Sequence, residues 1–492
     1  MKQHREVDLQ AIAGKAMEKY GFLPEFPRST TREARDIREI SFPNRLKVMK
    51  DLRGLLWSSI DNVDSMDLDQ IEYCEPGDEG EIHVRVAIAD VDVYVPKGSQ
   101  IDRYASYNGT AVYTGVVTYT MLPRELSHNI SSLLPGRERM AIVIEYTVFP
   151  DGSTRKDGVY HAVVSNKAKL VYEEVGDWLE GKGPIPPLVE KTDGLEEQVR
   201  LQHEAALRLK QHRLAQGALE LETLEAQAVV ENGTVVDIVL QEQNSARKLI
   251  EEFMVAANGT LVAFLEDAGL PMIHRVVRVP KNWDGIVKVA DEYGVTLPLK
   301  PDSKSLSEFL IRQKDADPER FPDLSLTVVK LIGSGEYVAY IPGKIPIGHF
   351  ALAVTDYTHG TAPNRRYVDL VIQRLVKSVL DGRPSPYPRR ELNDLAEWLS
   401  DREKGSEKVE RFMLKAAAAV LLQDRIGETF DAIVTGASEK GTYVRIMDPP
   451  VEGRVMRGGE GLYVGQKVRV RLILTNPHKG YIDFEYLGPG YA

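Results

Sequence analysis

The chain has a single cysteine, Cys74, among 492 residues. That excludes an intrachain disulfide and any zinc centre built on several cysteines. No apolar run approaches the ~18 residues expected of a membrane helix; Ala416–Leu422 is the longest, inside a helical pattern. The first ten residues, MKQHREVDLQ, lack the apolar stretch of a secretory signal, so a cytoplasmic protein that makes no membrane contact is expected. HExxH, GxSxG, GxGxxG and Walker sequences are all missing, which argues against zincin, serine-hydrolase and nucleotide-hydrolase chemistry. The ten histidines are scattered, and His128 and His349 read as core or loop residues. There is also no excess of positive charge. Lys and Arg total 62 against 73 Asp and Glu, for a net charge of −11.

Charge is unevenly distributed. The first 50 residues carry 11 Lys+Arg and 7 Asp+Glu, and residues 425–492 carry 9 and 8, so the acidity lies in the middle. Basic ends on an acidic body suit a nucleic-acid enzyme or a metabolic one equally. At about 100–200 residues per domain, the length implies two to four domains.

Three regions follow from hydrophobic periodicity. Residues 9–20 place Leu9, Ile12, Ala13, Ala16 and Tyr20 at helical spacing, and TTREARDIREI supplies a second helix. This predicts a small helical N-terminal module over 1–40, either a packing appendage or a helix-turn-helix. From 41 to 424 the pattern is mixed. Strands are expected at Glu81–Asp90, Gly109–Tyr119 and Ala141–Val148, and helices at Gly194–Gln216, Ser245–Ala268, Arg366–Leu380 and Arg402–Leu422. Residues 425–492 hold about five short strands with Gly-rich turns, the signature of a small all-β OB-fold barrel. The fold class expected is α+β with a C-terminal barrel.

Within WSSIDNVDSMDLDQIEY, four aspartates fall in nine residues: Asp61, Asp64, Asp67 and Asp69. Crowded hard oxygen ligands suit Mg²⁺ or Mn²⁺, and a solvated acidic turn is the plainer alternative. An EF-hand fits poorly, because Met66 occupies the position that needs glycine. In THGTAPNRRYVDLVIQRL, Arg365 and Arg366 stand at the head of a helix, where free N–H groups and guanidinium forks attract phosphate. A carboxylate cage facing an arginine loop is what phosphodiester chemistry requires.

IDNVDSMDLDQIE resembles the RNB motif of the ribonuclease II/ribonuclease R exoribonucleases, Ile-Asp, five residues, then Asp-x-Asp-Asp. AIADVDVYVPKGSQIDRYA, VYTGVVTYTMLPRELSHNISSL, EEFMVAAN and YTHGTAPNRRYVDL look like further landmarks of that domain in family order, together covering roughly residues 35–425. The C-terminal strands are similar to the family's S1-type RNA-binding module. The resemblance implies a Mg²⁺-dependent (or Mn²⁺-dependent) 3′→5′ exoribonuclease that takes the single-stranded 3′ end of RNA and releases nucleoside 5′-monophosphates; a monomer is expected. It makes Asp61, Asp67 and Asp69 metal-holding catalytic residues and Arg365 the stabiliser of the reacting phosphate, with Arg366 beside it on RNA. It also makes Tyr113 the aromatic that stacks on a terminal base. Glu251 or Glu252, and Glu410, fall near the expected RNA path.

Three departures stand out. Gln70 occupies the fourth aspartate position of the metal site, and Asp64 is a candidate to replace the lost charge. Ala362 and Asn364 stand where the family has Ser and Ile. The N-terminal 40 residues are too few for the family's two cold-shock domains. Gln70 also motivates the rival expectation of an RNA-binding protein on this scaffold with little or no nuclease activity.

Overall fold

A computed structural model of the chain describes residues 7–39, 49–222, 225–231, 234–241, 243–318, 320–438 and 441–490. Its centre is a seven-stranded sheet, and the strands are numbered here in chain order: β1 Lys50–Asp51, β2 Ser58–Asp61, β3 Gln70–Pro76, β4 Ile82–Ala89, β5 Glu138–Val148, β6 Thr154–Ser165 and β7 Ala168–Val171. The order across the sheet is β1-β6-β5-β4-β3-β2-β7. The two outermost pairings, β1 with β6 and β2 with β7, are parallel, and the inner ones antiparallel. β5, and β4 from Val86 onward, are buried on both faces and read as near-continuous apolar runs, whereas Ile82–Arg85 alternates.

Helices pack on this sheet. The helix Ser245–Asp267 (α1) is capped by Asn244, whose side chain accepts the Arg247 N–H at 3.0 Å, and it buries Leu249, Phe253, Ala257, Leu261 and Leu265 as its spacing predicts. The helix Tyr367–Leu380 (α2) is tied to the end of β4. Gln373 donates to the Ala89 carbonyl at 2.7 Å, and Lys377 pairs with Asp90 at 2.7 Å.

The helix expected over Arg402–Leu422 is longer, running Arg389–Leu421 (α3). Its first turns are too charged to stand out, yet Leu392, Ala396 and Leu399 keep a buried stripe that carries the helix back to Pro388. The N-terminal helix Leu9–Lys19 lays Leu9, Ile12, Ala13, Ala16 and Met17 against Val409, Met413, Ala416 and Ala417 of α3, so its apolar face is consumed by packing. The module boundary expected at residue 40 lies outside the described residues.

The single strand expected over Gly109–Tyr119 is instead a hairpin. Val112–Tyr113 pairs with Thr118–Tyr119, and Gly115 (φ +79°) makes the reversal.

The C-terminal strands close into a five-stranded barrel: β8 Thr429–Ser438, β9 Gly441–Ile446, β10 Glu452–Arg457, β11 Lys467–Asn476 and β12 Tyr481–Pro489, in the order β8-β9-β10-β12-β11. Closure removes the exposed edges. Ala418, Ala419 and Leu422 at the end of α3 share the barrel's hydrophobic core, which seats the barrel on the helix.

Candidate active site

Four separate segments meet at the ends of β2, β3 and α2. Asp61 ends β2, and residues 62–69 form an irregular loop leading to Gln70, the first residue of β3. Lys169 on β7 clamps that loop by its backbone, donating to the Val63 carbonyl at 2.8 Å and the Ser65 carbonyl at 2.6 Å. The clamp leaves Asp64 exposed to solvent, so it does not fold inward to stand in for the missing aspartate.

Asp69 is 2% exposed and accepts the Asn364 backbone N–H at 2.8 Å on one oxygen, while its other oxygen lies 3.3 Å from Arg365 Nε. Arg365 is anchored at Nε with its side chain 44% exposed, and its two terminal nitrogens have no hydrogen-bond partner among the described residues. Arg366 behaves differently. Its Nε and Nη2 donate to the two oxygens of Asp369, at 2.8 Å each, and Asp369 also accepts the Ala362 N–H at 2.7 Å. Expected to contact RNA, Arg366 is engaged in closing the loop that presents Arg365.

The loop is stitched to the aromatic hairpin. Ala111 N–H donates to the Arg365 carbonyl at 2.8 Å, and Tyr367 N–H to the Gly109 carbonyl at 2.9 Å. From there Tyr113 reaches back, its hydroxyl 3.4 Å from Asp67 Oδ2, while its backbone N–H donates to Glu410 of α3 at 3.1 Å. Tyr113 is 44% exposed and available to a base. Of the other glutamates near the expected path, Glu252 is 4% exposed and locked to Arg213 by two bonds of 2.7 and 2.6 Å. Glu251 lies 3.6 Å from the same arginine.

Burial sets the electrostatics. It pushes Asp61 up to about 6, against a hydrogen bond from Ser59 and the charge of Arg365. It pushes Asp69 up to about 7, with Arg365 opposing and Asp67 adding to the rise. Tyr113 is held protonated, chiefly by burial of its hydroxyl.

One acid escaped sequence reasoning. Glu72 on β3 is fully buried, and neither carboxylate oxygen has a hydrogen-bond partner among the described residues. Burial, reinforced by Asp61, raises its pKa well above the carboxylate range. Its signal is the two-residue strand period, which puts Gln70, Glu72 and Cys74 on one face. Cys74 is buried and its thiol is raised by that burial, as befits an inert residue. His349 is a loop residue whose ring accepts the Leu352 N–H at 3.2 Å.

Among the described residues, no three His, Cys, Asp or Glu side chains stand close enough to hold a metal by themselves. The donor set does fit a hard cation that completes its shell with water and substrate oxygens. Asp61 Oδ2 is buried without a partner, Asp67 is half-buried beside it, and the buried Gln70 amide makes no hydrogen bond to the described residues. Asp61 and Asp69 are both raised by burial and both feel the charge of Asp67, so a cation among these carboxylates would favour their ionised forms.

Residues 49–382 match the RNB domain family model, and residues 428–487 match that of the RNase II-type exonuclease C-terminal S1 domain. The chain is 30% identical to ribonuclease R of Thermotoga maritima, over 94% of this chain and 68% of that protein. It is 28% identical to ribonuclease R of Aquifex aeolicus, over 95% and 69% respectively. It thus spans about two thirds of the length of these relatives. In fold it is similar to Mycoplasma genitalium RNase R solved with ribose-methylated single-stranded RNA. That match has a TM-score of 0.88 at 22% identity and covers 98% of this chain and 78% of that one. No helix among the described residues is long and apolar enough to cross a membrane.

Proposed function

The chain belongs to the RNB-domain exoribonuclease family, and we propose that it is a Mg²⁺-dependent hydrolase that shortens RNA from the 3′ end, one nucleoside 5′-monophosphate at a time. The observation that carries this reading is the convergence of Asp61, Asp67, Asp69, Tyr113 and Arg365 from distant segments, joined by the Asp69–Arg365 and Tyr113–Asp67 contacts.

Asp61 and Asp67 would hold the cation, with the Gln70 carbonyl oxygen as a neutral third donor and Asp69 behind them. When bound, the cation supplies Lewis acidity and offsets the charge of the reacting phosphate. The protein's own residues do the rest. Asp69 fixes Arg365 by its Nε, so the two terminal nitrogens point as a fork at the non-bridging phosphate oxygens and stabilise the charge that builds in the transition state. Tyr113 stacks on a base near the 3′ end and sets which linkage stands over the acids. Water attacks phosphorus, the P–O3′ bond breaks, and the shortened RNA keeps a free 3′-hydroxyl.

Incubation of 5′-labelled poly(A) with the protein and Mg²⁺ tests the reading. A descending ladder that ends in a short product is expected. A gel shift with no shortening would replace it with the reading of an RNA-binding protein on a nuclease scaffold.

A further inference from the structure

Between the aromatic hairpin and β5 the chain makes a π-helical turn, Leu126–Ile130, closed by the Ser131 N–H on the Leu126 carbonyl at 3.1 Å. Such wide turns are rare and occur often at functional sites. This one delivers two adjacent buried serines, Ser131 and Ser132. None of the chemistry described above uses them.

Ser132 brackets Asp67. Its hydroxyl donates to the Met66 carbonyl at 2.6 Å and accepts the Leu68 N–H at 2.9 Å, so one side chain fixes the peptide groups on both sides of that aspartate. The next residue adds a third bond, from the Leu133 N–H to the Leu68 carbonyl at 3.0 Å. Lys169 holds the first half of the acidic loop, and Ser132 holds the second. Ser132 is itself tied to the central sheet, its carbonyl accepting Arg139 Nε of β5 at 3.0 Å.

Ser131 turns to the arginine loop instead. Its hydroxyl donates to Asn364 Oδ1 at 2.6 Å, and the Asn364 backbone N–H is the one that Asp69 accepts. Asn364 is buried and its Nδ2 has no partner among the described residues, so the Ser131 bond is what orients the amide there. Asn364 stands where the family has Ile. A polar side chain brought into a buried position needs a hydrogen-bond partner, and Ser131 supplies it. Two neighbouring hydroxyls thus join the acidic loop to the loop that presents Arg365.

We propose that Ser131 and Ser132 are positioning residues for the reaction, Ser132 setting Asp67 and with it the cation, and Ser131 setting the arginine loop and with it the fork of Arg365. Both act through other residues. The inference rests on the reading above that this site cleaves RNA with a divalent cation. Placement is what the serines supply, and a reacting group displaced by about 1 Å can cost on the order of 10²-fold in rate.

The full-length chain is compared with Ser132→Ala, Ser131→Ala and Ser131→Ala/Asn364→Ile. Three measurements are made on each: single-turnover decay of 5′-labelled poly(A) across a Mg²⁺ titration, RNA affinity in EDTA, and the rise in urea midpoint with Mg²⁺ in the absence of RNA. Ser132→Ala should slow decay at saturating Mg²⁺ by about 10²-fold. It should also need severalfold more Mg²⁺, both for half-maximal decay and for the rise in urea midpoint. Ser131→Ala should slow decay by about tenfold with both Mg²⁺ requirements unmoved. Isoleucine at 364 removes the second polar partner along with the first and should recover most of that loss. Affinity for RNA should stay within about twofold throughout, since the groups disturbed act in the transition state. A merely structural role would lower affinity and rate together and would not separate one serine from the other. Unchanged decay in either serine variant overturns the proposal, as does a serine variant that fails to fold, an equal shift of the Mg²⁺ requirement in both, or an isoleucine that recovers nothing. A parent that leaves RNA at full length overturns the functional reading itself. A parent that degrades RNA beside unaltered variants overturns only the role of the serines.

Discussion

Arg365 Nε stands 3.3 Å from Asp69 Oδ2, across 296 positions of sequence, and Asp69 holds the Asn364 N–H with its other oxygen. The aspartate therefore both belongs to the acidic cluster and determines where the arginine fork points. Asp69→Asn keeps an acceptor for Asn364 but loses the charge that holds Arg365. We expect single-turnover decay to slow by about 10²-fold or more, the scale seen when one transition-state donor is lost, while filter binding of a 40-nucleotide RNA changes only severalfold. Undiminished decay would contradict the role given to this pair.

Asp61 and Asp69 are raised to about 6 and about 7, both by burial. A carboxyl whose folded pKa exceeds its unfolded value of about 3.9 contributes stability that is complete below that value and is lost as pH rises through the folded one. In EDTA, these two groups should therefore lower the stability to urea as pH goes from about 4 to about 7.5. A divalent cation that favours their ionised forms should restore it, so the gap between Mg²⁺ and EDTA curves should widen with pH. A gap that is constant from pH 4.5 to 7.5 would count against cation binding at these acids.

Glu72 has two buried oxygens without a hydrogen-bond partner among the described residues. Replacing an unsatisfied buried polar group by an apolar one of similar size removes a cost of about 1–3 kcal/mol. Glu72→Leu should accordingly be more stable than the parent at pH 7.5, and the gain should shrink as pH falls through about 4.5, where the carboxyl of the unfolded chain becomes protonated as well. Destabilisation at pH 7.5, read by urea denaturation, would mean that Glu72 is satisfied by something else.

Gln70 is 6% exposed and its amide makes no hydrogen bond to the described residues, so the shorter carboxylate of Asp has room there. Gln70→Asp adds a charged oxygen donor where the parent has a neutral one. The Mg²⁺ concentration at half-maximal decay should fall several-fold. An unchanged or higher requirement would remove Gln70 from the cation's surroundings.

Much of this was legible in the sequence, and the gaps have physical causes. The acidic run and the arginine loop stood out because so many charges in so few residues need a purpose. The five C-terminal strands announced themselves by Gly-rich turns at short intervals. Gly109–Tyr119 misled because its β-branched and aromatic residues read as one strand, while Gly115, which reverses it, looked like an ordinary interruption. The start of α3 was hidden under Arg389, Arg390, Glu391 and Asp394, charges that solvate one side of a helix whose other side is buried. Arg366 looked like a second phosphate ligand, although Asp369 three residues on was a visible partner. That pairing is local and could have been read from spacing; the link from Asp69 to Arg365 could not. Asp64 shows the opposite limit, since nothing in the loop sequence reveals the backbone clamp from Lys169 that turns it outward.

The central claim is hydrolysis at the 3′ end, and the isotopic composition of the product tests it most directly. RNA is degraded in H₂¹⁸O with Mg²⁺ under single-turnover conditions, and the released mononucleotide is weighed by mass spectrometry. The account predicts nucleoside 5′-monophosphates carrying one ¹⁸O on phosphorus, appearing in order from the 3′ end and sharply reduced in Asp69→Asn. Nucleoside diphosphates, 3′-phosphates, unlabelled product, or RNA bound and left at full length would contradict it.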